Sequence, residues 1–213
     1  MPTRAVIFDF NGTLSDDEPI LCRIYAAMFA ERGRPLSEEQ YRDELAGHSE
    51  EEILERWLGR GRPDLPELVA ERVARYRALV ADGSTVYPEV REAVRFAAAR
   101  VPVAIVSGAA LEEIEPVVAA AGLAPFVQAI VAADHVAHGK PHPEGYLRAA
   151  ELLGVPPGEI AAFEDTEAGV ASAKAAGLHC VGITRTLGAE RLAAADELIP
   201  AIDVAAVERL LGA

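Results

Sequence analysis

Five short apolar runs, near residues 4 to 9, 102 to 106, 127 to 131, 160 to 163 and 178 to 183, limit the folds open to this chain. From the second run onward they alternate with amphipathic, alanine-rich stretches at about 110 to 121, 143 to 153 and 166 to 176. Those stretches have helical periodicity and end near Gly122, Gly154 and Gly177, at positions suited to the left-handed residue that closes a helix. Short, uniformly apolar strands separated by helices require a parallel sheet covered on both faces. The pattern therefore predicts an α/β fold with helices on both faces of a parallel sheet. Active sites of such sheets form beyond the carboxyl ends of the strands.

The long gap between the first two runs breaks the alternation. Residues 17 to 82 contain no convincing strand but four helical patterns, at 19 to 32, 38 to 46, 50 to 58 and 66 to 81. Ser37 with Gln40, and Ser49 with Glu52, have the spacing of capping boxes that start the second and third. This reads as an all-helical domain, 17–82, inserted into a core built from 1–16 and 83–213. The connectors would run from Asn11 to Glu18 and from Asp82 to Pro88, both polar or turn-rich. The acidic run Asp16-Asp17-Glu18 reads as charge favoured by the dipole of the helix that begins near Pro19.

Four of the strand-like runs lead into residues with chemistry. Asp9 follows Ala5-Val6-Ile7-Phe8 and precedes Phe10-Asn11-Gly12-Thr13. A carboxylate held where a buried strand opens into a loop suits a nucleophile or a metal ligand, since loop N–H groups can face an anion as well. The run 103–106 leads into Ser107-Gly108, a hydroxyl with adjoining N–H groups that suits a phosphate oxygen. Lys140, one of only two lysines, lies in Gly139-Lys140-Pro141-His142-Pro143 after the third run, where its cation could neutralise a phosphoryl group and an attacking carboxylate together. The run 160–163 ends in Glu164-Asp165-Thr166, and adjacent carboxylates repel unless a cation such as Mg²⁺ joins them. Taken singly, each segment has an alternative reading: a turn aspartate at Asp9, an ST-turn at Ser107, a solvated Lys140, a helix cap at Asp165 or Thr166. Their common position at strand ends favours phosphoryl chemistry.

The chain resembles the haloacid dehalogenase superfamily on four motifs: Phe8-Asp9-Phe10-Asn11-Gly12-Thr13-Leu14, Ser107-Gly108, Lys140-Pro141 and Phe163-Glu164-Asp165-Thr166. The segment Phe-Glu-Asp-Thr-Glu-Ala-Gly-Val, 163 to 170, is similar to the fourth motif of the branch that holds sugar-phosphate phosphatases and β-phosphoglucomutase-like enzymes. The resemblance implies a Rossmann-like core with the helical insertion as a substrate-selecting cap. It also implies a Mg²⁺-dependent phosphomonoesterase in which Asp9 forms an aspartyl-phosphate. Mg²⁺ would be held by Asp9, the Asn11 main-chain carbonyl and Asp165, with Glu164 adding a contact directly or through water. Ser107, Lys140 and the backbone around Phe10, Asn11 and Gly108 would hold the transferring phosphoryl oxygens.

One position departs from the family pattern. Most phosphatases of this superfamily carry Asp two residues after the nucleophile, and here that residue is Asn11. An amide can donate a hydrogen bond to a leaving oxygen but cannot exchange a proton near neutral pH. Loss of such a group typically costs on the order of 10²- to 10⁴-fold in rate. His48 is a candidate substitute acid/base or substrate ligand, because Leu45-Ala46-Gly47-His48-Ser49 is similar to the cap loop that points into the site in related enzymes. Its alternative is a solvated loop residue before the Ser49 cap. His142 follows Lys140-Pro141 at a position that varies in the family.

Neighbouring activities of the superfamily fit less well. A phosphonoacetaldehyde hydrolase needs a Schiff-base lysine in the cap, yet both lysines, Lys140 and Lys174, lie in the core segments. A hexose-phosphate mutase needs proton transfer at position 11. A dehalogenase needs no Mg²⁺, which leaves Glu164 and Asp165 without purpose. The remaining alternative is a catalytically impaired phospho-ligand binding or regulatory protein of the same fold.

Formal charge at pH 7 is -14, which disfavours nucleic acid as a partner and leaves phosphate to be drawn in locally. No stretch is long and apolar enough for a membrane span, and the first residues enter a strand without a cationic, apolar leader, so cytoplasm is the expected location. Cys22 and Cys180 lack metal spacing and are expected reduced and buried. The expected partner is a small phosphorylated metabolite, bound by a monomer or a dimer.

Overall fold

The computed structural model describes residues 2–212. The chain divides into two compact units, one of 1–16 with 82–213 and one of 17–81. Asp82, grouped above with the helical insertion, belongs to the larger unit.

The elements follow in chain order. The first strand is β1 (Ala5–Phe8). The four helices α1 (Glu18–Ala30), α2 (Glu38–Gln40), α3 (Glu50–Leu58) and α4 (Leu65–Val80) make up the smaller unit, with a π-helical turn at Tyr41–Leu45. The chain then alternates through α5 (Pro88–Ala98), β2 (Val103–Val106), α6 (Leu111–Ala120), β3 (Ala129–Val131), α7 (Glu144–Leu153), β4 (Ile160–Glu164), α8 (Glu167–Ala175), β5 (His179–Ile183), β6 (Glu197–Ile199) and α9 (Val204–Leu211).

The six strands form one parallel sheet in the order β3-β2-β1-β4-β5-β6. This is the doubly wound arrangement, in which the chain reverses its winding direction at the β1/β4 boundary and leaves a crevice at the carboxyl ends. All four residues of β1 are completely buried, as are Ala104, Ile105, Ala161, Ala162 and Phe163. One face of the sheet, carrying Ala5, Ile7, Ala104, Val106, Ala162 and Cys180, packs under Tyr146, Ala149 and Leu153 of α7 and Val170 and Ala173 of α8. The opposite face carries Val6, Phe8, Ile105 and Phe163, also buried; α5 packs on β2 and against α9. Cys22 and Cys180 are both free and buried.

Two features of the larger unit were absent from the sequence reading. Strand β6 is three residues long and only Leu198 and Ile199 are apolar, too short a run to betray it; its position comes from pairing with β5, Val181 opposite Glu197 and Ile183 opposite Ile199. Helices α5 and α9 complete the coat, α5 burying Val90, Ala93, Val94 and Ala97 at helical spacing.

In the helical unit, α1 packs on α4 and α3 on α4. Tyr25, Met28, Phe29, Leu54, Leu68 and Tyr76 are nearly or completely buried, and the Phe29 ring stacks on Trp57 at 6.1 Å. Both capping boxes form: the Ser37 hydroxyl accepts from Gln40 N and the Ser49 hydroxyl from Glu52 N. The acidic run has structural partners rather than a purely dipolar role. Asp17 is completely buried and accepts from the Tyr76 hydroxyl within the helical unit. Asp16, in the larger unit, accepts from the Tyr87 hydroxyl at 2.5 Å, and its N–H donates to the Thr85 carbonyl at 2.8 Å. Among the described residues no helix is long and apolar enough to cross a membrane.

Candidate active site

The register of the central strands determines which side chains meet. Phe8 of β1 pairs with Phe163 of β4 on one side and Ile105 of β2 on the other, and the Phe8 and Phe163 rings stack at 5.0 Å. The residues that follow the phenylalanines, Asp9 and Glu164, therefore leave the sheet side by side at the reversal of strand order. Ser107, two residues past Ile105, leaves from the next strand.

Lys140 arrives from the loop between β3 and α7, where the peptide bond to Pro141 is cis. Its ammonium donates to Asp9 Oδ1 at 2.5 Å, to Glu164 Oε1 at 2.5 Å and to the Val106 carbonyl at 3.2 Å. The Tyr146 hydroxyl, buried in α7, donates to the same Glu164 oxygen at 2.7 Å. Glu164 Oε2 accepts from Asp165 N at 3.1 Å, Thr166 N at 3.4 Å and the Thr166 hydroxyl at 3.3 Å. Thr166 caps α8 in turn, its hydroxyl oxygen accepting from Gly169 N. Five donors on one carboxylate saturate its roughly four lone-pair sites. Glu164 thus orients Lys140 and the first turn of α8, and a directly bound cation would have to displace one of these donors.

Asp165 lies on the other side of the loop from β1. Thr13 Oγ1 donates to Asp165 Oδ1 at 3.4 Å. Two glycines make room for the acids. A Cβ on Gly12, whose φ is +73°, would lie 1.9 Å from Asp165 Oδ2; one on Gly169 would lie 1.9 Å from Glu164 Cδ. The Gly12 loop is held from outside by Arg185, which donates to the Gly12 carbonyl at 3.1 Å.

Asp9, Glu164 and Asp165 are all buried, and one carboxylate oxygen from each lies within 4.8 Å of the others. Three carboxylates against one ammonium give the pocket two surplus negative charges when all are ionised. Burial, opposed by Lys140 and reinforced by Glu164, pushes the Asp9 carboxyl up from 3.8 to about 7. Burial also works against the Lys140 charge, but Asp9 and Glu164 outweigh it and hold that pKa above its ordinary value. The Tyr146 hydroxyl is pushed well above its usual range by burial and by the adjacent Glu164 and Asp9 charges. A buried, oxygen-only donor set with surplus negative charge fits a hard divalent cation.

The remaining sequence candidates are placed as follows. Ser107 Oγ donates to Asn11 Oδ1 at 3.4 Å and accepts from Ala109 N at 3.1 Å. The Ser107 N–H is used by the sheet, donating to the Val131 carbonyl, whereas Gly108 has open space beside its Cα. Phe10 is buried, and its backbone N–H is hydrogen-bonded to the Asp9 carboxylate. His48 belongs to the helical unit, half-buried between the π-helical turn and α3, with Nδ1 3.5 Å from Glu52 Oε2. Tyr146, Thr13 and Arg185 were not singled out from the sequence. Tyr146 was legible only as one apolar position of an amphipathic helix, and nothing local marks Arg185 among eighteen arginines.

Comparison with known proteins identifies the family. A model of haloacid dehalogenase-like hydrolases matches residues 3–177. The validoxylamine A 7'-phosphate phosphatase of Streptomyces hygroscopicus subsp. limoneus is 32% identical over 198 residues, which cover 92% of this chain and 92% of that protein. Protein CbbY of Rhodobacter capsulatus is 33% identical over 223 residues, covering 99% and 98%. The crystal structure of a mutant of CbbY from Rhodobacter sphaeroides in complex with xylulose-(1,5)bisphosphate aligns with a TM-score of 0.82 at 29% identity, over 94% of this chain and 95% of that one. With a match that begins before β1, ends beyond α8 and takes in all four strand-end motifs, the chain belongs to the haloacid dehalogenase-like hydrolase family.

Proposed function

We propose that the protein is a phosphomonoesterase that transfers the phosphoryl group of a small phosphorylated metabolite to Asp9 and then to water. The observation that carries this reading is the convergence of Asp9, Lys140, Glu164 and Asp165 at the reversal of strand order. In the first half-reaction an Asp9 carboxylate oxygen attacks phosphorus in line, the P–O bond to the leaving group breaks, and the departing oxygen takes up a proton. In the second, water attacks the acyl-phosphate, releasing inorganic phosphate and regenerating the carboxylate.

Each residue has a role that follows from its contacts. Lys140, gripping Asp9 Oδ1, fixes the rotation of the carboxylate and places positive charge beside the phosphoryl oxygens. Glu164 and Tyr146 hold Lys140 in that position. Ser107 Oγ and the N–H groups of Gly108 and Asn11 would offer donors on the side of β2 and the β1 loop, and the Phe10 N–H, which holds the Asp9 carboxylate, would join them by giving up that contact. Asp9, the Asn11 main-chain carbonyl and Asp165 would hold Mg²⁺, with Glu164 acting through water or by giving up a donor. When bound, the ion supplies charge neutralisation between the anionic nucleophile and the anionic ester. The helical unit, joined to the core by two connectors, acts as the substrate-selecting cap, with His48 as its candidate proton carrier or substrate ligand. The phosphate ester named for the Streptomyces enzyme and the bisphosphate bound in the CbbY complex support a phosphorylated, sugar-like metabolite.

Asn11 favours a second reading, a catalytically impaired protein that binds its phospho-ligand without turning it over. A panel of phosphorylated metabolites assayed with and without Mg²⁺ separates the two. The phosphatase reading expects Mg²⁺-dependent phosphate release that Asp9→Ala and Asp165→Ala abolish; binding without release by any member of the panel supports the alternative.

A further inference from the structure

A second ligating group lies on the surface of the larger unit: His138, His142 and Glu144, with one donor atom from each within 4.8 Å of the others. These residues flank the loop that carries Lys140, His138 two positions before it and His142 two after, while Glu144 opens α7. Glu144 draws the loop together. Its Oε1 accepts from Ala137 N at 2.7 Å and its Oε2 from His138 N at 3.1 Å. The two imidazole rings stand 4.7 Å apart, and the far end of the loop is anchored by the buried Ser172 hydroxyl, which donates to the His142 carbonyl at 2.7 Å.

Two imidazoles and a carboxylate are a ligand set for Zn²⁺-like ions, not for Mg²⁺, which takes oxygen ligands in a rigid octahedron. Bond lengths of about 2.0–2.1 Å put the ligand atoms of a tetrahedral zinc site about 3.3 Å apart. Glu144 Oε2 lies 3.0 Å from His138 Nδ1 and 3.8 Å from His142 Nδ1, values on either side of that edge. His142 Nδ1 accepts from Glu144 N at 3.3 Å, so that nitrogen presents a lone pair. The side chains of His138, His142 and Glu144 are 67%, 51% and 30% exposed, leaving a solvent path and room for water as the fourth ligand.

We propose that His138, His142 and Glu144 bind a borderline-soft divalent cation of the Zn²⁺ class, at a site separate from the Asp9–Asp165 cluster, and that the bound ion clasps the loop carrying Lys140. On binding, the contacts that His138 Nδ1 and His142 Nδ1 make with Glu144 are exchanged for bonds to the ion. The proposal does not rest on the phosphatase reading, because neither histidine takes part in that chemistry.

The test uses the full chain in excess Mg²⁺, titrated with Zn²⁺ in a calorimeter and, separately, with Co²⁺ followed by its visible d–d absorption. The expected result is one equivalent of Zn²⁺, and Co²⁺ bands of the intensity typical of tetrahedral coordination. His138→Ala and His142→Ala, both at exposed positions, should each weaken Zn²⁺ binding by about 100-fold or more, whereas Asp165→Ala should leave it intact. Amide hydrogen exchange across 137–142 should slow on Zn²⁺ addition in the unsubstituted protein and not in His142→Ala. Zn²⁺ binding that survives both histidine substitutions, that is lost in Asp165→Ala, or that gives only the weak spectrum of octahedral Co²⁺ would overturn the assignment. Unchanged exchange across the loop despite binding would overturn the clasp.

Discussion

Gly169→Ala sets two effects of opposite sign against each other. Gly169 lies inside α8 and is not among the residues with positive φ, so intrinsic propensity alone favours alanine by about 1 kcal/mol. The added Cβ, however, would lie 1.9 Å from Glu164 Cδ and 1.9–2.0 Å from both carboxylate oxygens. Glu164 cannot yield cheaply, because those oxygens hold Lys140, Tyr146 and the first turn of α8. Forcing one partner out of a buried ion pair costs about 3–5 kcal/mol. The net expectation is destabilisation by about 2–4 kcal/mol, or a fall in melting temperature of roughly 5–15 °C for a chain of this size. Phosphate release should fall with it, since Lys140 loses the carboxylate that aims it at Asp9. Differential scanning fluorimetry of four proteins gives the answer: unsubstituted, Gly169→Ala, Glu164→Ala and the double variant. In the Glu164→Ala background the clash is gone, so Gly169→Ala should there be neutral or stabilising. A Gly169→Ala protein that melts at or above the unsubstituted temperature, or an equal loss in both backgrounds, would refute the claim that Glu164 occupies the space the glycine leaves.

Asn11→Asp should raise steady-state turnover, more for alkyl than for aryl phosphates, because only the former need strong protonation of the leaving oxygen; equal rates for both variants would direct attention to His48→Ala. The Asp9 carboxyl, raised from 3.8 to about 7, keeps in the folded state a proton that the unfolded chain has lost. On this account the metal-free protein loses stability as pH rises from about 4 to about 7, and the loss levels off above. Mg²⁺ should therefore raise the melting temperature more at pH 8 than at pH 5 and release protons into weakly buffered solution near neutrality; a shift independent of pH would contradict it. If the helical unit acts as a cap, small-angle scattering with a tight phosphate analogue and Mg²⁺ should show a more compact particle than without; identical profiles would count against closure.

What was legible in the sequence is what local pattern encodes. Ala5–Phe8 and Ile160–Phe163 announce buried strands because every residue is apolar, and parallel pairing at equal register then brings Asp9 beside Glu164. The capping boxes at Ser37 and Ser49 are likewise local and formed as spaced. The pattern 38 to 46 could not reveal that its second half, Tyr41–Leu45, closes as a π-helical turn. Contacts made across long sequence distances stayed hidden: Tyr146 reaching Glu164, Arg185 reaching Gly12, Tyr87 reaching Asp16. None of these has a spacing signature, because the partners meet only once the sheet has assembled. Gly169 is different: the Glu164 carboxylate that fills the space beside it comes from the end of β4 just before α8, a local contact that no spacing rule marks.

Rapid-quench trapping tests the central claim, that Asp9 carries the phosphoryl group. The protein is mixed with Mg²⁺ and an aryl or acyl phosphate, stopped in acid, and its peptides are mapped by mass spectrometry. Phosphate should be found on the peptide containing Asp9, and it should accumulate, since Asn11 cannot act as the base that activates water for the second step. In Asn11→Asp the trapped fraction should fall as turnover rises. Phosphate release that continues undiminished in Asp9→Ala, or a phosphoryl group mapped to any other residue, would contradict the account.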